Sequence, residues 1–383
     1  MNTRNILHTI GLLLMLSITS ACSDDESYAP DADKAGTIAV STEVEPMGVL
    51  FDGKPVAGSR AIASDNENII NNLHIVVFNA NVGDADYGKM IYQIYSPLYV
   101  ANPYSTLLNL GESAKNKTVH IYAIANIGSG DLFEISPGKN LNEDDFKSIA
   151  VYPSDPDDVS RIGAGEYSLY TKTGTPLCNV STTAPIMVSD AVEVTVANNG
   201  LTNVNLRLFR QCTKITLNII PQKMRIRRYK VWNVPKIAYL FSKDENVNDV
   251  GYGSLPAEII DDNDEAAQRQ NVIKKSYYVF ENYAGRNLAA RKATDRHDAN
   301  IPTGSSPTYV DIWGIPDGYS DTYNYRVYLG GVGADNVIAY DRFSLLRNYE
   351  YYVTVKIAGD GTGDLRVSKV LAQSKALLLN IEH

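Results

Sequence analysis

Cysteine is nearly absent: besides Cys22, the 383-residue chain has only Cys178 and Cys212. So few thiols exclude a disulfide-stapled scaffold and a cysteine-based zinc centre, while spacing alone leaves open whether the last two pair in an oxidising compartment. Tryptophan occurs only at positions 232 and 313, and the five histidines are His8, His74, His120, His297 and His383. His74 and His120 sit inside apolar runs, no histidines have metal-ligand spacing, and no nucleophile elbow accompanies them, so the chain reads as non-enzymatic, without metal or cofactor. An excess of basic residues is also missing: 35 Lys+Arg stand against 44 Asp+Glu, a net charge of -9, which argues against nucleic acid as a partner. Long apolar runs are confined to Ile10–Ile18. That run is shorter than the roughly 18 residues of a membrane-spanning helix, and with Arg4 before it and Thr19-Ser20-Ala21 after it, residues 1–21 read as a cleavable export signal.

What fills the rest of the chain is strand. Ile38, Val40, Thr42 and Val44 alternate with small or polar residues, the period-two pattern of a half-buried strand. Leu73–Phe78 and Val119–Ala125 are continuous apolar runs rich in β-branched and aromatic residues, as central strands are. Met90–Tyr95, Val192–Val196, Tyr277–Phe280, Tyr325–Leu329 and Tyr351–Ile357 continue the series. Tyrosine outnumbers phenylalanine 25 to 8, so many strand faces keep a polar tip within reach of water. One short helix is predicted at Asn142–Ile149, capped by Asn142, with Glu143, Asp144 and Asp145 at the positive end of its dipole. No parallel βαβ rhythm appears, so the expected class is all-β, two antiparallel β-sandwiches in tandem with one short helix in the first.

The boundaries follow from composition. After the signal, residues 22–35 form an acidic tether without a core-forming pattern. The first sandwich is expected over 36–199 and the second over 200–364, joined at the Asn198–Thr202 turn, with a C-terminal extension at 365–383. Within Leu201–Ile220 the alternation changes parity: Val204, Leu206 and Leu208 mark one face, then Thr213, Ile215, Leu217 and Ile219 the other, which predicts a kink near Phe209–Cys212. Arg225, Arg227, Arg228 and Lys230 read as a solvated strand end, Asp261–Glu265 as a polar turn, and Gly330-Gly331-Val332-Gly333 as a hairpin turn.

Thr19-Ser20-Ala21-Cys22 resembles the lipobox of bacterial lipoproteins, which implies acylation (palmitate) of Cys22 and anchoring by more than one chain; the bland alternative is an ordinary secretory signal with an incidental cysteine. Ser23, Asp24, Asp25 and Glu26 directly behind it resemble the surface-export signal of Bacteroidales lipoproteins, which implies the outer face of the outer membrane. The ordered series of Gly58-Ser59-Arg60-Ala61, the strand 73–78, VHIYAIANIG at 119–128, the helix at 142–149, APIMVSDAVEVTV at 184–196, Glu281-Asn282 and Leu346-Arg347-Asn348-Tyr349 resembles the fimbrillins, subunits of the Bacteroidales type V pilus. The resemblance spans the mature chain and implies transthyretin-like, Greek-key sandwiches, an Arg-specific protease cutting between Arg60 and Ala61, and release of the strand at Ile38–Val44. A neighbouring subunit's C-terminal segment would then fill the gap, and here Leu377, Leu379 and Ile381 alternate as a donor strand would. Alternation equally fits a strand of the tail's own domain, and Arg60 equally fits an exposed loop.

On this reading the partners are other fimbrial subunits, the outer membrane through lipid, the protease, and host or bacterial surface receptors. The function is adhesion or biofilm formation by an extracellular fimbrium, with anchor and tip roles as alternatives inside the family. The rival from another class is a monomeric surface glycan-binding lipoprotein, which needs a flat aromatic platform and has Trp232 and Trp313 for it.

Overall fold

The computed structural model of the protein describes residues 35–51, 54–55, 65–100, 102–128, 142–241, 250–260, 272–331, 339–358 and 367–369. Strands dominate them, as the alternation predicts. One N-terminal segment supplies β1 (Thr37–Val44), β2 (Gly48–Phe51) and β3 (Lys54–Pro55). Next come β4 (Ile70–Asn79), β5 (Met90–Val100), β6 (Tyr104–Asn109) and β7 (Thr118–Ala125). Helix α1 (Glu143–Lys147), β8 (Ala150–Pro153) and helix α2 (Arg161–Ala164) lead to β9 (Glu166–Tyr170) and β10 (Pro176–Ser181). The half ends with β11 (Met187–Ser189), β12 (Val192–Thr195) and β13 (Leu201–Arg210).

The largest sheet runs β5-β4-β7-β11-β13-β1-β6, with β12 also on β7. It curls on itself. Ile38 and Val40 of β1, Leu73, Ile75 and Val77 of β4, Ile121 and Ala123 of β7, and Val204, Leu206 and Leu208 of β13 all bury into one cluster enclosed by this single sheet. The Ser96 and Tyr104 hydroxyls, 2.8 Å apart, link the strands at its two ends. The opposite face of β4 and β7 carries Val76, Phe78, Tyr122 and Ile124, which pack on α1 and on the layer holding β8, β9 and β10. Phe146 of α1 is fully buried against Phe78 and Tyr122, with ring centres 5.0 and 5.1 Å away. The helix starts where expected: Asn142 Oδ1 accepts the Asp145 backbone N–H at 2.8 Å.

The second half contains β14 (Cys212–Gln222), β15 (Met224–Pro235), β16 (Ala238–Tyr239), β17 (Tyr252–Ser254) and β18 (Glu258–Ile259). It continues with β19 (Ile273–Phe280), β20 (Tyr309–Pro316), β21 (Tyr323–Tyr328), β22 (Tyr349–Ala358) and β23 (Val367–Lys369). A sheet ordered β19-β14-β22-β2-β3 faces one ordered β17-β15-β20-β21-β23, and Ile215, Leu217 and Ile219 meet Ile226, Val231, Val310 and Ile312 between them. The halves are interleaved, since β16 pairs with β8 and completes the four-stranded layer of the first half.

Three pairings depart from the antiparallel expectation: β1 on β13, β14 on β22, and β2 on β22 are parallel. The N-terminal segment runs in the same direction as the β13–β14 course, so its neighbours reach it by long crossovers rather than hairpins. The parity change is where the chain leaves one sheet for the other, at Gln211 between β13 and β14. β13 therefore pairs within the first sheet, although the sequence reading starts the second domain at residue 200; alternation marks a strand's buried face but not the sheet that owns it. β23 extends the second half's pairing to Lys369, inside the stretch read as a C-terminal extension.

Candidate functional site

Of the residues singled out in the sequence, Cys22, Ser23, Asp24, Asp25, Glu26, Arg60, Ala61, Leu377, Leu379 and Ile381 lie outside the described residues. The strand they bear on, β1, is described in full. It lies between β13, parallel, and β6, antiparallel, in the register Val40↔Val204 and Val40↔Thr106. Ile38, Val40 and Thr42 turn inward and are essentially fully buried. At the outward positions Ser41 Oγ donates to Asn205 Oδ1 at 3.2 Å. The ends are fastened: Leu110 N donates to Gly36 O at 3.0 Å, and Glu45 N donates to Leu208 O at 2.9 Å. Gly36 has φ +77°, and a Cβ there would stand 2.3 Å from the Gly111 carbonyl oxygen, so only glycine fits this entry turn. One defect stands out in an otherwise apolar row. The Thr42 hydroxyl is buried with no hydrogen-bond partner among the described residues, which costs on the order of 1–3 kcal/mol.

The last inward residue of β13 is Arg210, completely buried. Its Nε donates to Glu67 O at 2.9 Å, one terminal nitrogen donates to Glu45 O at 2.9 Å and Asn348 Oδ1 at 2.8 Å, and the other donates to Asn68 Oδ1. The guanidinium thus holds the chain just after β1, the chain just before β4, and the turn entering β22. Burial lowers its pKa, opposed by Cys212, Glu67 and Tyr278. Next to it, Glu67 accepts from Lys214 Nζ at 2.8 Å and from the Tyr278 hydroxyl. Sequence reasoning missed Arg210, although its signal was present: a charge at the position where the Val204, Leu206, Leu208 row calls for another apolar residue.

Several other titratable groups lie within the packing between elements. His74 is buried, and desolvation pushes its pKa down to about 4 despite the ring contact with Gly128 O at 3.3 Å. Cys178 and Cys212 are free thiols, raised by burial to about 11 and about 12. His120 lies between Glu143 Oε1 at 2.8 Å and Glu193 Oε2 at 3.0 Å, tying α1 to β7 and β12. Burial would raise the Glu143 pKa, but hydrogen bonds from Lys147, Tyr122 and His120 outweigh it and hold the carboxyl below its ordinary value.

Both tryptophans fall on the outward face of the β15–β20 pair, in the register Arg228↔Trp313 and Trp232↔Tyr309. Their ring faces are occupied. Arg228 lies 4.1 Å from the Trp313 ring centre, Lys230 4.1 Å from Trp232, and Arg326 4.2 Å from Tyr309. The basic run is therefore not a solvated strand end: Arg228 and Lys230 are half-buried and stack on indoles. With Trp313 buried and cations stacked on both indoles, the two tryptophans do not form the open flat platform that the glycan-binding rival needs.

Residues 277–355 match a domain family of unknown function, DUF4906. No curated protein matches the sequence. Over most of its length the chain is similar in structure to fimbrial and adhesion proteins of Bacteroidales. The tip fimbrial protein Mfa3 of Porphyromonas gingivalis, with a C-terminal truncation, has 13% identity and a TM-score of 0.49, over 87% of this chain and 98% of that one. A candidate cell-adhesion protein of Parabacteroides distasonis has 17% identity and a TM-score of 0.48, over 84% and 89%. A fimbrial assembly protein of the same species has 13% identity and a TM-score of 0.39, over 85% and 92%.

Proposed function

We propose that the protein is a non-enzymatic, lipid-delivered structural subunit of surface fimbriae that assembles by strand complementation and serves adhesion or biofilm formation. The observation that carries this reading is the placement of the N-terminal segment. It supplies an interior strand, β1, to one half and a strand near the sheet edge, β2, to the other, running parallel to β13 and β22. Taking β1 away would unpair the backbone groups of β13 and β6 and uncover the core at Ile38 and Val40, each worth about 1.5–3 kcal/mol when fully buried. Such a groove is stable only when another strand fills it. Cutting between Arg60 and Ala61 would separate the segment from the rest of the chain, and a neighbour's tail carrying Leu377, Leu379 and Ile381 would supply the replacement.

Export to the outer membrane surface through lipid on Cys22, under the direction of Ser23, Asp24, Asp25 and Glu26, belongs to the same proposal. So do an Arg-specific protease, other fimbrial subunits and surface receptors as partners. The reading is tested by deleting residues 365–383 and running cell-surface extracts, unheated and heated, on denaturing gels. Heat-sensitive ladders that vanish on deletion are expected; ladders unchanged by the deletion would exclude the tail as donor.

A further inference from the structure

The place that β1 occupies makes definite demands on whatever fills it, because its neighbours β13 and β6 both follow residue 61 in the chain and stay with the subunit after a cut at Arg60. Three successive inward sites, those of Ile38, Val40 and Thr42, are no more than 1% exposed and favour apolar side chains. The seated strand fails the third of them, where the Thr42 hydroxyl has no partner. On the outward side Ser41 stands opposite Asn205, and Glu43 opposite Arg207. Arg207 approaches two carboxylates that belong to the N-terminal segment, Glu43 Oε1 at 3.8 Å and Glu45 Oε2 at 3.7 Å, so removing the segment leaves it without either. Ala39 stands opposite Leu107, which is 56% exposed.

Residues 376–383, ALLLNIEH, meet these demands position by position when set against TIAVSTEV of β1. Leu377, Leu379 and Ile381 fall on the three inward sites, so an aliphatic side chain takes the place of the buried Thr42 hydroxyl. Asn380 falls on the Ser41 site facing Asn205, Glu382 on the Glu43 site facing Arg207, and Leu378 on the Ala39 site beside Leu107. Other placements fail. A shift of one residue in either direction turns Asn380 inward. A shift of two puts Lys375 at the Ile38 site or His383 at the Thr42 site. Reversing the strand keeps the apolar row but sets Glu382 at the buried Thr37 site and leaves Arg207 facing Ala376. We infer that β1 is replaced by residues 376–383 of a second copy of this chain, parallel to β13 in this one register. Loss of the Thr42 defect favours the exchanged form, and the pair of Glu382 with Arg207 helps to fix the register. The inference rests on the proposed exchange of β1, and it makes the subunit complementary to itself, able to form a filament of one component.

The test is a pair of cysteines across the inferred contact, Asn205→Cys with Asn380→Cys, in cell-surface extracts treated with a mild oxidant and run on denaturing gels after heating. Directly opposed residues on neighbouring strands are close enough for a disulfide. Ladders that resist heat and collapse with reductant are expected. Asn203→Cys with Asn380→Cys, two residues out of register, should give about a tenth as much or less. Ile381→Thr returns a hydroxyl to the buried site and should speed dissociation of the multimers in urea about tenfold, whereas Ile381→Val should not. Locking by the Asn203 pair instead, heat-sensitive ladders that neither pair locks, or an unchanged rate in Ile381→Thr would overturn the inference while leaving strand exchange standing. Absence of multimers from the unsubstituted protein would refute strand exchange itself, and the inference with it.

Discussion

Replacing Arg210 by methionine keeps most of the side-chain volume and removes four donated hydrogen bonds at once, to Glu67 O, Glu45 O, Asn348 Oδ1 and Asn68 Oδ1. Two of these acceptors are backbone carbonyls, on segments that the guanidinium bridges. A hydrogen bond to a charged group contributes about 1.5–3 kcal/mol, and an acceptor left buried without a partner costs about 1–3 kcal/mol. Acceptors near the surface regain water, and burial of the cation itself carries a cost that the substitution relieves. The expected net loss is therefore about 3–5 kcal/mol, a large share of the stability of a typical domain. It should be uneven. Glu45 lies at the end of β1, so the amides of β1 that pair with β13 should gain hydrogen-exchange rate by more than those of β4 and β7. Urea unfolding measures the first quantity and residue-resolved exchange the second. A loss below about 1 kcal/mol, with exchange in β1 unchanged, would refute the role of Arg210 as the clamp on this strand.

Thr42→Val should stabilise the protein by about 1 kcal/mol, because it removes a buried hydroxyl without a partner among the described residues, and it should slow any release of β1; a lower urea midpoint would contradict this. Stability should fall as pH drops from 6.5 towards 4. The unfolded chain takes up a proton at His74 over that interval and the folded chain resists it, so the contribution is full above pH 6.5 and on the order of 3 kcal/mol is lost by pH 4. His74→Gln should flatten that part of the profile, and an unchanged slope would locate the acid sensitivity elsewhere. Cys22→Ala should leave an unlipidated precursor, and membrane fractionation showing normal attachment would sink the lipoprotein reading.

Most strands were legible because burial imposes a period of two: Ile38, Val40 and Thr42, or Val204, Leu206 and Leu208, can face a core only in that rhythm. The helix was legible because Asn142 and three acidic residues mark its start chemically. Partners were not. Nothing in the Ile38–Val44 pattern says that its neighbour lies more than 160 positions away and runs parallel, because alternation records a face and not what it faces. The parity change near Gln211 was visible, but that it joins two sheets required the third dimension. Arg210 was the one clue in the sequence to the clamp, a charge in an apolar row.

The central claim, a subunit whose first strand is exchangeable, is met most directly by N-terminal sequencing of the mature protein taken from cell surfaces. The account predicts a start at Ala61, with the segment carrying β1 to β3 cut from the subunit. A blocked terminus at lipidated Cys22, with that segment retained, would contradict it and favour an anchor subunit or a monomeric glycan-binding lipoprotein.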